Sequence, residues 1–489
     1  MKMKRTIVLT SLVLLTALLL PLLSVAGIAE TEAPVVGNFN QAFTDFGFQT
    51  GSATTHGNNQ TRIAYTSSGV YITYPTDDFL SEYDPYAKLN LSGSHYVLYV
   101  IRPDGSTKVL IEDSFFYTGA GTTTNVMVDK NEDIWVVTSW DEGSKHYPLI
   151  AWHYDVSEDT VTKYDEVGFV AKGGMLGKPY AIMDTVNNKI YVVVYAIPGF
   201  VEWTTFDIET KTWEKNLKRS KVPWSCCYHF GYADGKGGFY IVSTRTVDHG
   251  NTPSNIEGMS VLDAINKYQN RVAIDAGQVW DETYLVYVPD ASVEEAYYAS
   301  FGAAVYDVEN GLYPNMVVRE SDVYLDEDTG LFYVLRQEQD CDGLFGYHMM
   351  LYIFDTNGRV GELANDNIFP LICKKEISFS YGIGVHYFPC MVKDMAGNLY
   401  IVTGTERYGE VEIWRAVDEI GSEYEFVYTG ACTVAYDREQ YDQWNAMIVA
   451  NNRNNSTPSD TVYFLYSGGG GTWESFSVDF AALRAKNGQ

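Results

Sequence analysis

Short runs of β-branched and aromatic residues recur along the chain, and each follows a polar turn. Seven such runs stand out, at residues 69–74 (GVYITY), 133–138 (DIWVVT), 189–195 (KIYVVVY), 238–243 (GFYIVS), 331–335 (LFYVL), 398–403 (NLYIVT) and 462–466 (VYFLY). Most are preceded by a second strand-like run and a turn of Asp, Asn and Gly, as in NVMVDKNEDIWVV. These turn residues tolerate the positive φ values of tight hairpins, and Val, Ile, Tyr and Phe suit a pleated surface. Each run is therefore predicted to be one arm of a β-hairpin.

The runs recur at intervals of roughly 50 to 90 residues, enough for one four-stranded sheet and its loops. This repeat predicts an all-β fold, a β-propeller of about seven four-stranded blades, with six as the alternative count. The last period ends after its third strand, at 473–478. Because an unpaired edge strand invites aggregation, we expect strand-like residues 34–50 to take the fourth position and close the ring. The repeat covers residues 33–483 as a single propeller domain.

The longest interval, in the fourth blade, holds an insertion at about residues 250–280. Its segment 259–273 carries apolar residues at helical spacing, which predicts a short helix. Residues 291–300 (ASVEEAYYAS) are predicted to form a second short helix. Packing of both helices against the propeller wall is favoured over a lid on the substrate.

The first residues have the features of an export signal. Lys2, Lys4 and Arg5 precede the apolar stretch 6–23, and small residues follow at 24–26. We expect residues 1–26 to be a signal peptide and the protein to be secreted or extracytoplasmic, at the cell surface. No charge occurs between Arg5 and Glu30, so an uncleaved membrane anchor is the alternative.

The balance of charge narrows the class of partner. The chain has 63 Asp and Glu against 34 Lys and Arg, a formal net charge of -29. Nucleic acid is excluded as a partner, because binding its phosphates requires a broad basic surface that releases counterions. Hydrophobic residues make up 46% of the chain and aromatic residues 15%, which is ample for large packed cores.

Two local motifs resemble those of secreted β-propellers of the BNR or sialidase-like class. Arg62-Ile63-Ala64 is similar to the Arg-Ile-Pro entry strand of sialidases, with Ala64 in place of the proline. The stretch 467–473 (SGGGGTW) resembles a degenerate Asp box that lacks its Asp and is one residue short. The resemblance implies a secreted, carbohydrate-active propeller, and its pattern covers roughly residues 34–483.

Function then depends on where the reactive side chains fall. In a propeller, the loops that enter the innermost strand and those that join the second and third strands lie on one face. Six of the eight histidines are predicted to lie in these loops: His56, His146, His229, His249, His348 and His386. The substrate-binding candidates of the same face are Arg62, Arg245, Arg336, Arg407, His56, His146, Trp140 and Trp224. Arg forks match carboxylates and aromatic faces suit sugar rings, so the predicted partner is an acidic polysaccharide or glycoconjugate.

The leading hypothesis is β-elimination of a uronic-acid polysaccharide. An arginine would neutralise the carboxylate, His229 or His386 would act as the base, and Tyr228 or Tyr387 as the acid. Adjacent residues on a strand point to opposite sides, so each His is expected to work with a Tyr from another blade.

Two other functions stay open. Sialidase-like hydrolysis would use Arg62, an acid among Asp77, Asp78 and Asp84, and a nucleophile such as Tyr441 near Glu439. A non-catalytic module that binds glycan or protein through the same face is the third. No cofactor is predicted, the alternatives being a structural Ca²⁺ at acidic turns such as 326–329 or a His-bound divalent metal. The protein is expected to be a monomer.

Overall fold

The computed structural model describes residues 36–38, 61–76, 94–115, 123–139, 146–164, 167–170, 179–194, 200–222, 229–247, 279–303, 319–339, 347–358, 361–377, 389–404, 410–416, 426–433, 446–467 and 473–488. The signal segment 1–26 and the predicted helix 259–273 lie outside these residues. Within them, no helix is long and apolar enough to cross a membrane.

The described strands form seven antiparallel sheets, five with four strands and two with five. The first sheet comprises β2 (Ile63–Thr66), β3 (Gly69–Thr76), β4 (Ser94–Ile101) and β5 (Thr107–Phe115). The second comprises β6 (Thr123–Val128), β7 (Ile134–Ser139), β8 (His146–Asp155), β9 (Thr160–Lys163) and β10 (Val167–Val170). The third comprises β11 (Tyr180–Asp184), β12 (Lys189–Val194), β13 (Phe200–Asp207), β14 (Thr212–Trp213) and β15 (Lys218–Lys221). The fourth sheet comprises β16 (His229–Ala233), β17 (Phe239–Val247), β18 (Val279–Val288) and β19 (Tyr297–Ala303). The fifth comprises β20 (Arg319–Asp326), β21 (Leu331–Gln339), β22 (Tyr347–Asp355) and β23 (Leu371–Ile377). The sixth comprises β24 (Cys390–Lys393), β25 (Leu399–Gly404), β26 (Glu410–Ala416) and β27 (Phe426–Thr433).

The seventh sheet joins residues from the two ends of the sequence. It contains β28 (Ala446–Val449), β29 (Thr461–Ser467), β30 (Trp473–Asp479) and the short strand β1 (Val36–Asn38). Strand β1 pairs antiparallel with β30, from Val36 opposite Val478 to Asn38 opposite Phe476.

The sheets are blades of a ring. The innermost strands are β2, β6, β11, β16, β20, β24 and β28; each contacts the next, and β28 contacts β2. The prediction of an all-β propeller is therefore confirmed. Each of the seven hydrophobic runs read from the sequence supplies the second strand of one blade.

Local turn chemistry sets the hairpins between first and second strands. The turns place Asn188, Gly330 and Gly397 at φ values of 51°, 71° and 87°, the left-handed region that Asn and Gly enter at least cost. Each turn directly precedes its second strand, so it fixes the register of the pair.

The cores lie between neighbouring blades, because both faces of each sheet are covered. One cluster joins the first and second blades through Tyr71, Leu98, Val126 and Val136. Another joins the sixth and seventh blades through residues such as Tyr400, Phe464 and Phe480. Burial of apolar surface contributes about 25 cal/mol per Å², so each blade is stabilised mainly by its two neighbours.

A C-terminal helix, which the sequence pattern did not predict, seals one of these junctions. Helix α1 (Phe480–Lys486) follows β30 directly, and the Asp479 side chain caps it by accepting from the Ala482 N–H at 2.9 Å. Phe480 packs on Tyr400 of the sixth blade with ring centroids 4.4 Å apart. Arg484 forms ion pairs with Asp394 and, at 3.1 Å, with Asp460.

The strands extend further than the sequence pattern indicated. Residues that were predicted to lie in loops are in strands: His146 begins β8, His229 begins β16, His348 lies in β22, Arg245 in β17 and Arg336 in β21. The prediction of a second short helix at 291–300 is also wrong, because this segment forms a turn that leads into β19. Pairing with β18 overrides the weak helical pattern of that segment.

Candidate functional site

The ring has two faces, which are distinguished by the ends of the innermost strands. We call the face at which the innermost strands begin the entry face, and the opposite one, with the hairpins between first and second strands, the hairpin face. At the entry face the Thr61 carbonyl, ahead of β2, accepts from the Val126 N–H of β6 at 2.6 Å. The Asn125 side chain donates to the carbonyl of Pro179, ahead of β11, at 3.1 Å. Neighbouring innermost strands therefore begin on one side of the ring.

Most of the predicted site residues lie outside the described part of the chain. These are His56, Trp140, Trp224, Tyr228, His386, Tyr387 and Arg407. His146 and Arg245 have their backbones in β8 and β17, while their side chains lie outside the described part. The side chains of Arg62, His229 and Arg336 are described.

Arg62 lies at the beginning of the innermost strand of the first blade. Its carbonyl accepts from the Thr73 N–H at 2.8 Å, and its side chain is buried, with 1% of its surface exposed. Burial lowers the pKa of the guanidinium to about 9. Arg62 is still a cation at neutral pH, but one that is enclosed by the blade wall.

His229 is the first residue of β16 and pairs with Ser243 of β17. It is buried, and burial lowers the pKa of its imidazole to about 3. The ring is therefore neutral at any pH near 7. A base works best when its pKa is close to the working pH, so the environment of His229 suits a structural role better than proton transfer.

Arg336 points into the wall between the fourth and fifth blades. Its Nη1 is 3.4 Å from the carbonyl oxygen of Phe301 on β19 and 3.4 Å from the Tyr352 hydroxyl on β22. The side chain is buried. The three described candidates are thus all enclosed near the entry end of the ring.

The structure also reveals a buried ion pair that sequence reasoning missed. Arg453 Nη1 lies 3.1 Å from Asp322 Oδ1, with 0% and 1% of the two side chains exposed. The Arg453 guanidinium also lies over the Phe230 ring at 4.8 Å. Asp322 Oδ2 accepts from the Met391 N–H at 2.7 Å. Burial, opposed by the charge of Arg453, raises the pKa of Asp322 to about 6.

Arg453 belongs to residues 450–457, which we call the floor segment. A 3-10 turn (Asn452–Asn454) lies at its centre, in the connection from β28 to β29. The Asn452 side chain donates to the Leu325 carbonyl and accepts from the Tyr232 hydroxyl, so it joins the fifth and fourth blades. The Asn454 and Asn455 side chains donate to carbonyls of the first and third blades.

The remaining blades are also tied to the floor segment. The Asn451 side chain donates to the Met391 carbonyl of the sixth blade at 3.4 Å. The Thr457 hydroxyl donates to Glu132, in the hairpin of the second blade, at 2.8 Å. One segment of the seventh blade therefore contacts the other six. Its only sequence signal is the polar run NNRNNST, which resembles an ordinary surface loop.

A cluster of metal-ligand type occurs in the second blade, also on the hairpin side. Ligand atoms of Asp129, Asp133 and His153 lie within 4.8 Å of one another. Asp129 already accepts from two backbone N–H groups and from the Trp135 indole, and Asp133 accepts from the Val156 N–H and contacts His153 at 3.3 Å. These hydrogen bonds hold the hairpin together, and the same three side chains could hold a metal ion. Asp326 of the acidic turn 326–329 is likewise paired, with Lys393 Nζ at 2.6 Å.

No family model and no curated protein matches this chain. Among solved structures it is similar to polysaccharide lyase Uly1, with 14% identity and a TM-score of 0.47 over 86% of this chain and 90% of that one. A PL25 ulvan lyase gives 9% identity and a TM-score of 0.49 over 88% and 96%. The SapL1 lectin, in complex with alpha methyl fucoside, gives 10% and 0.36 over 71% and 88%. Likeness at this level does not transfer an activity, so function is argued from the residues of this chain.

Proposed function

We propose that this protein is a secreted, carbohydrate-active β-propeller that binds an acidic polysaccharide at its entry face and cleaves it by β-elimination. One asymmetry supports this most directly. The floor segment connects β28 to β29 on the hairpin side, whereas the sequence repeat predicts the candidate His, Arg and Tyr residues on the opposite face. A ligand that uses those residues approaches from the entry face alone.

The described side chains narrow the assignment of roles. His229 is held neutral with a pKa of about 3, so we assign the base to His386. Arg62 and Arg336 are enclosed in the wall, so we assign neutralisation of the substrate carboxylate to Arg245 and Arg407. Arginine is suited to this role because its planar fork binds both carboxylate oxygens.

The reaction then proceeds in balanced steps. Neutralising the carboxylate makes the neighbouring C5–H more acidic, and the neutral imidazole of His386 takes that proton. The electron pair forms a C4=C5 double bond while the C4–O bond breaks. The leaving oxygen receives a proton from the hydroxyl of Tyr228, because Tyr387 adjoins His386 and the acid is expected from another blade. Positioned acid and base groups of this kind contribute about 10²- to 10⁴-fold each to the rate.

The test follows the unsaturated product by its ultraviolet absorbance. The secreted protein is incubated with polygalacturonate, alginate, glucuronan, chondroitin and ulvan, and an absorbance rise is expected with at least one. Tyr228→Phe should then lower the rate by about 10²-fold or more. Tyr428→Phe is the matched control, because Tyr428 is a 43% exposed tyrosine on the outermost strand of the sixth blade.

Two results would overturn the proposal. Folded protein that binds a uronate polymer without producing any absorbance would identify a glycan-binding module. Release of sialic acid from a fluorogenic glycoside, with no unsaturated product from any polymer, would identify a hydrolase.

A further inference from the structure

A cavity of about 310 Å³ opens on the hairpin face, between the third, fourth and fifth blades and the floor segment. Its volume is at the lower end of the range of ligand pockets, about 300–1,000 Å³. It lies on the opposite side of the ring from the entry face. Any ligand of this cavity is therefore bound independently of the proposed lyase site.

One wall of the cavity is aromatic. Tyr240 and Tyr287 from neighbouring strands of the fourth blade meet Phe369, which precedes the outermost strand of the fifth. The Phe369 ring lies 5.9 Å from that of Tyr240 and 5.3 Å from that of Tyr287. Tyr287 and Phe369 are only partly buried. Partly exposed rings at the edge of a cavity offer an apolar surface to a flat ligand.

The other walls offer hydrogen-bond donors and an acceptor. Lys236 and the exposed Glu327 stand on the hairpins of the fourth and fifth blades. Arg453 lines the cavity from the floor segment. Its side chain is fully buried, with 0% of its surface exposed, and is paired with Asp322, so it offers no donor to a ligand. The accessible ammonium of Lys236 and carboxylate of Glu327 can donate to and accept from the hydroxyl groups of a ligand.

The charges decide which oxygen-rich ligand fits. Lys236 and Arg453 are balanced by Glu327 and by Asp322, the ion-pair partner of Arg453. Two further lining carboxylates, Asp184 and Asp234, accept hydrogen bonds within their own hairpins. The lining therefore has no surplus of positive charge that would hold an anion. A neutral polyol can use the donors, the Glu327 acceptor and the aromatic wall together.

We propose that this cavity is a second carbohydrate site, which binds one or two neutral sugar units on the hairpin face. The apolar side of the sugar ring lies on Phe369 and Tyr287, and its hydroxyl groups bond to Glu327 and Lys236. The site binds sugar without cleaving it and holds the protein on a neutral glycan while the entry face remains open.

Saturation-transfer NMR and titration calorimetry with the full chain test this site. The probes are the methyl glycosides of glucose, galactose, xylose and rhamnose, with methyl glucuronoside and putrescine as anionic and cationic comparators. We expect millimolar binding of at least one neutral glycoside, and weaker or no binding of both charged probes. Phe369→Leu should weaken binding about threefold to tenfold, the effect of losing one aromatic contact.

Glu327→Gln, at an exposed position, provides a second variant whose folding is not at issue, and it should also weaken binding severalfold. Tyr428→Leu and Glu294→Gln are the matched controls, at exposed positions away from the cavity, and should bind like the wild type. The proposal is overturned if no neutral glycoside binds, if Glu327→Gln and a folded Phe369→Leu bind as tightly as wild type, or if a charged probe binds more tightly than every neutral one.

Discussion

The buried pair between Asp322 and Arg453 gives the sharpest prediction about stability. Asp322→Ala leaves the Arg453 guanidinium buried without its counter-charge, and it removes the acceptor of the Met391 N–H. Breaking a buried ion pair from one side costs about 3–5 kcal/mol. We expect the free energy of unfolding of Asp322→Ala to fall by that amount.

A double-mutant cycle separates the interaction energy of Asp322 with Arg453 from the other effects of each substitution. In an Arg453→Met background no buried charge is left behind, so Asp322→Ala should cost only the hydrogen bond to Met391, about 1–3 kcal/mol. The coupling energy between the two sites is then about 2 kcal/mol. Asp328→Ala, at an exposed hairpin position of the same blade, is the matched control and should change stability by less than about 0.5 kcal/mol.

Urea unfolding followed by tryptophan fluorescence measures these energies. Trp135, Trp203 and Trp414 are fully buried in the second, third and sixth blades, so they report the loss of packing around the ring. A loss below about 1 kcal/mol for Asp322→Ala, or additive effects in the cycle, would refute the view that this pair anchors the floor segment.

Three further predictions concern pH and the C-terminal helix. Asp322 has a folded pKa of about 6 against about 4 when unfolded, so the stabilisation by its neutral carboxyl is present below pH 4 and is lost as the pH rises through 6. The stability of wild type relative to Asp322→Asn should therefore fall by about 2 kcal/mol between pH 4 and 7 in urea titrations. His229 has the opposite sign, because its folded pKa of about 3 lies below the usual value of about 6.5; wild type should lose stability relative to His229→Gln as the pH falls from 6.5 towards 3, and a flat difference would contradict its burial as a neutral ring. Arg484→Ala should cost about 1–2 kcal/mol and speed hydrogen exchange in α1, because it removes the ion pairs to Asp394 and Asp460; unchanged exchange in α1 would show that Phe480 alone holds the helix.

Much of the architecture followed from local sequence signals. The seven hydrophobic runs marked the second strand of each blade, because β-branched and aromatic residues favour strands whatever their distant neighbours are. Asn188 and Gly330 likewise mark turns by their tolerance of positive φ. The helix prediction for residues 291–300 is wrong, because the helical pattern of this segment is weak and strand pairing with β18 outweighs it.

For the candidate site, the sequence predicts only which face of the ring holds its residues. Chain order and the propeller repeat assigned the His, Arg and Tyr candidates to entry-face segments. Whether a given residue is open or enclosed depends on its packing against the next blade. His229 and Arg336 are predicted to lie in loops of the entry face. Strands β16 and β21 include these two residues, however, and the adjacent blades bury their side chains.

The sequence by itself determined the strands, the hairpin turns and the repeat, since each depends on residues within a few positions of one another. Only the tertiary structure decided the floor segment and the ion pair of Arg453 with Asp322. Asn454 reaches a carbonyl of the first blade that lies 391 positions earlier in the chain. A polar run such as NNRNNST becomes a buried plug because ring closure brings six other blades around it, and no local pattern records that arrangement.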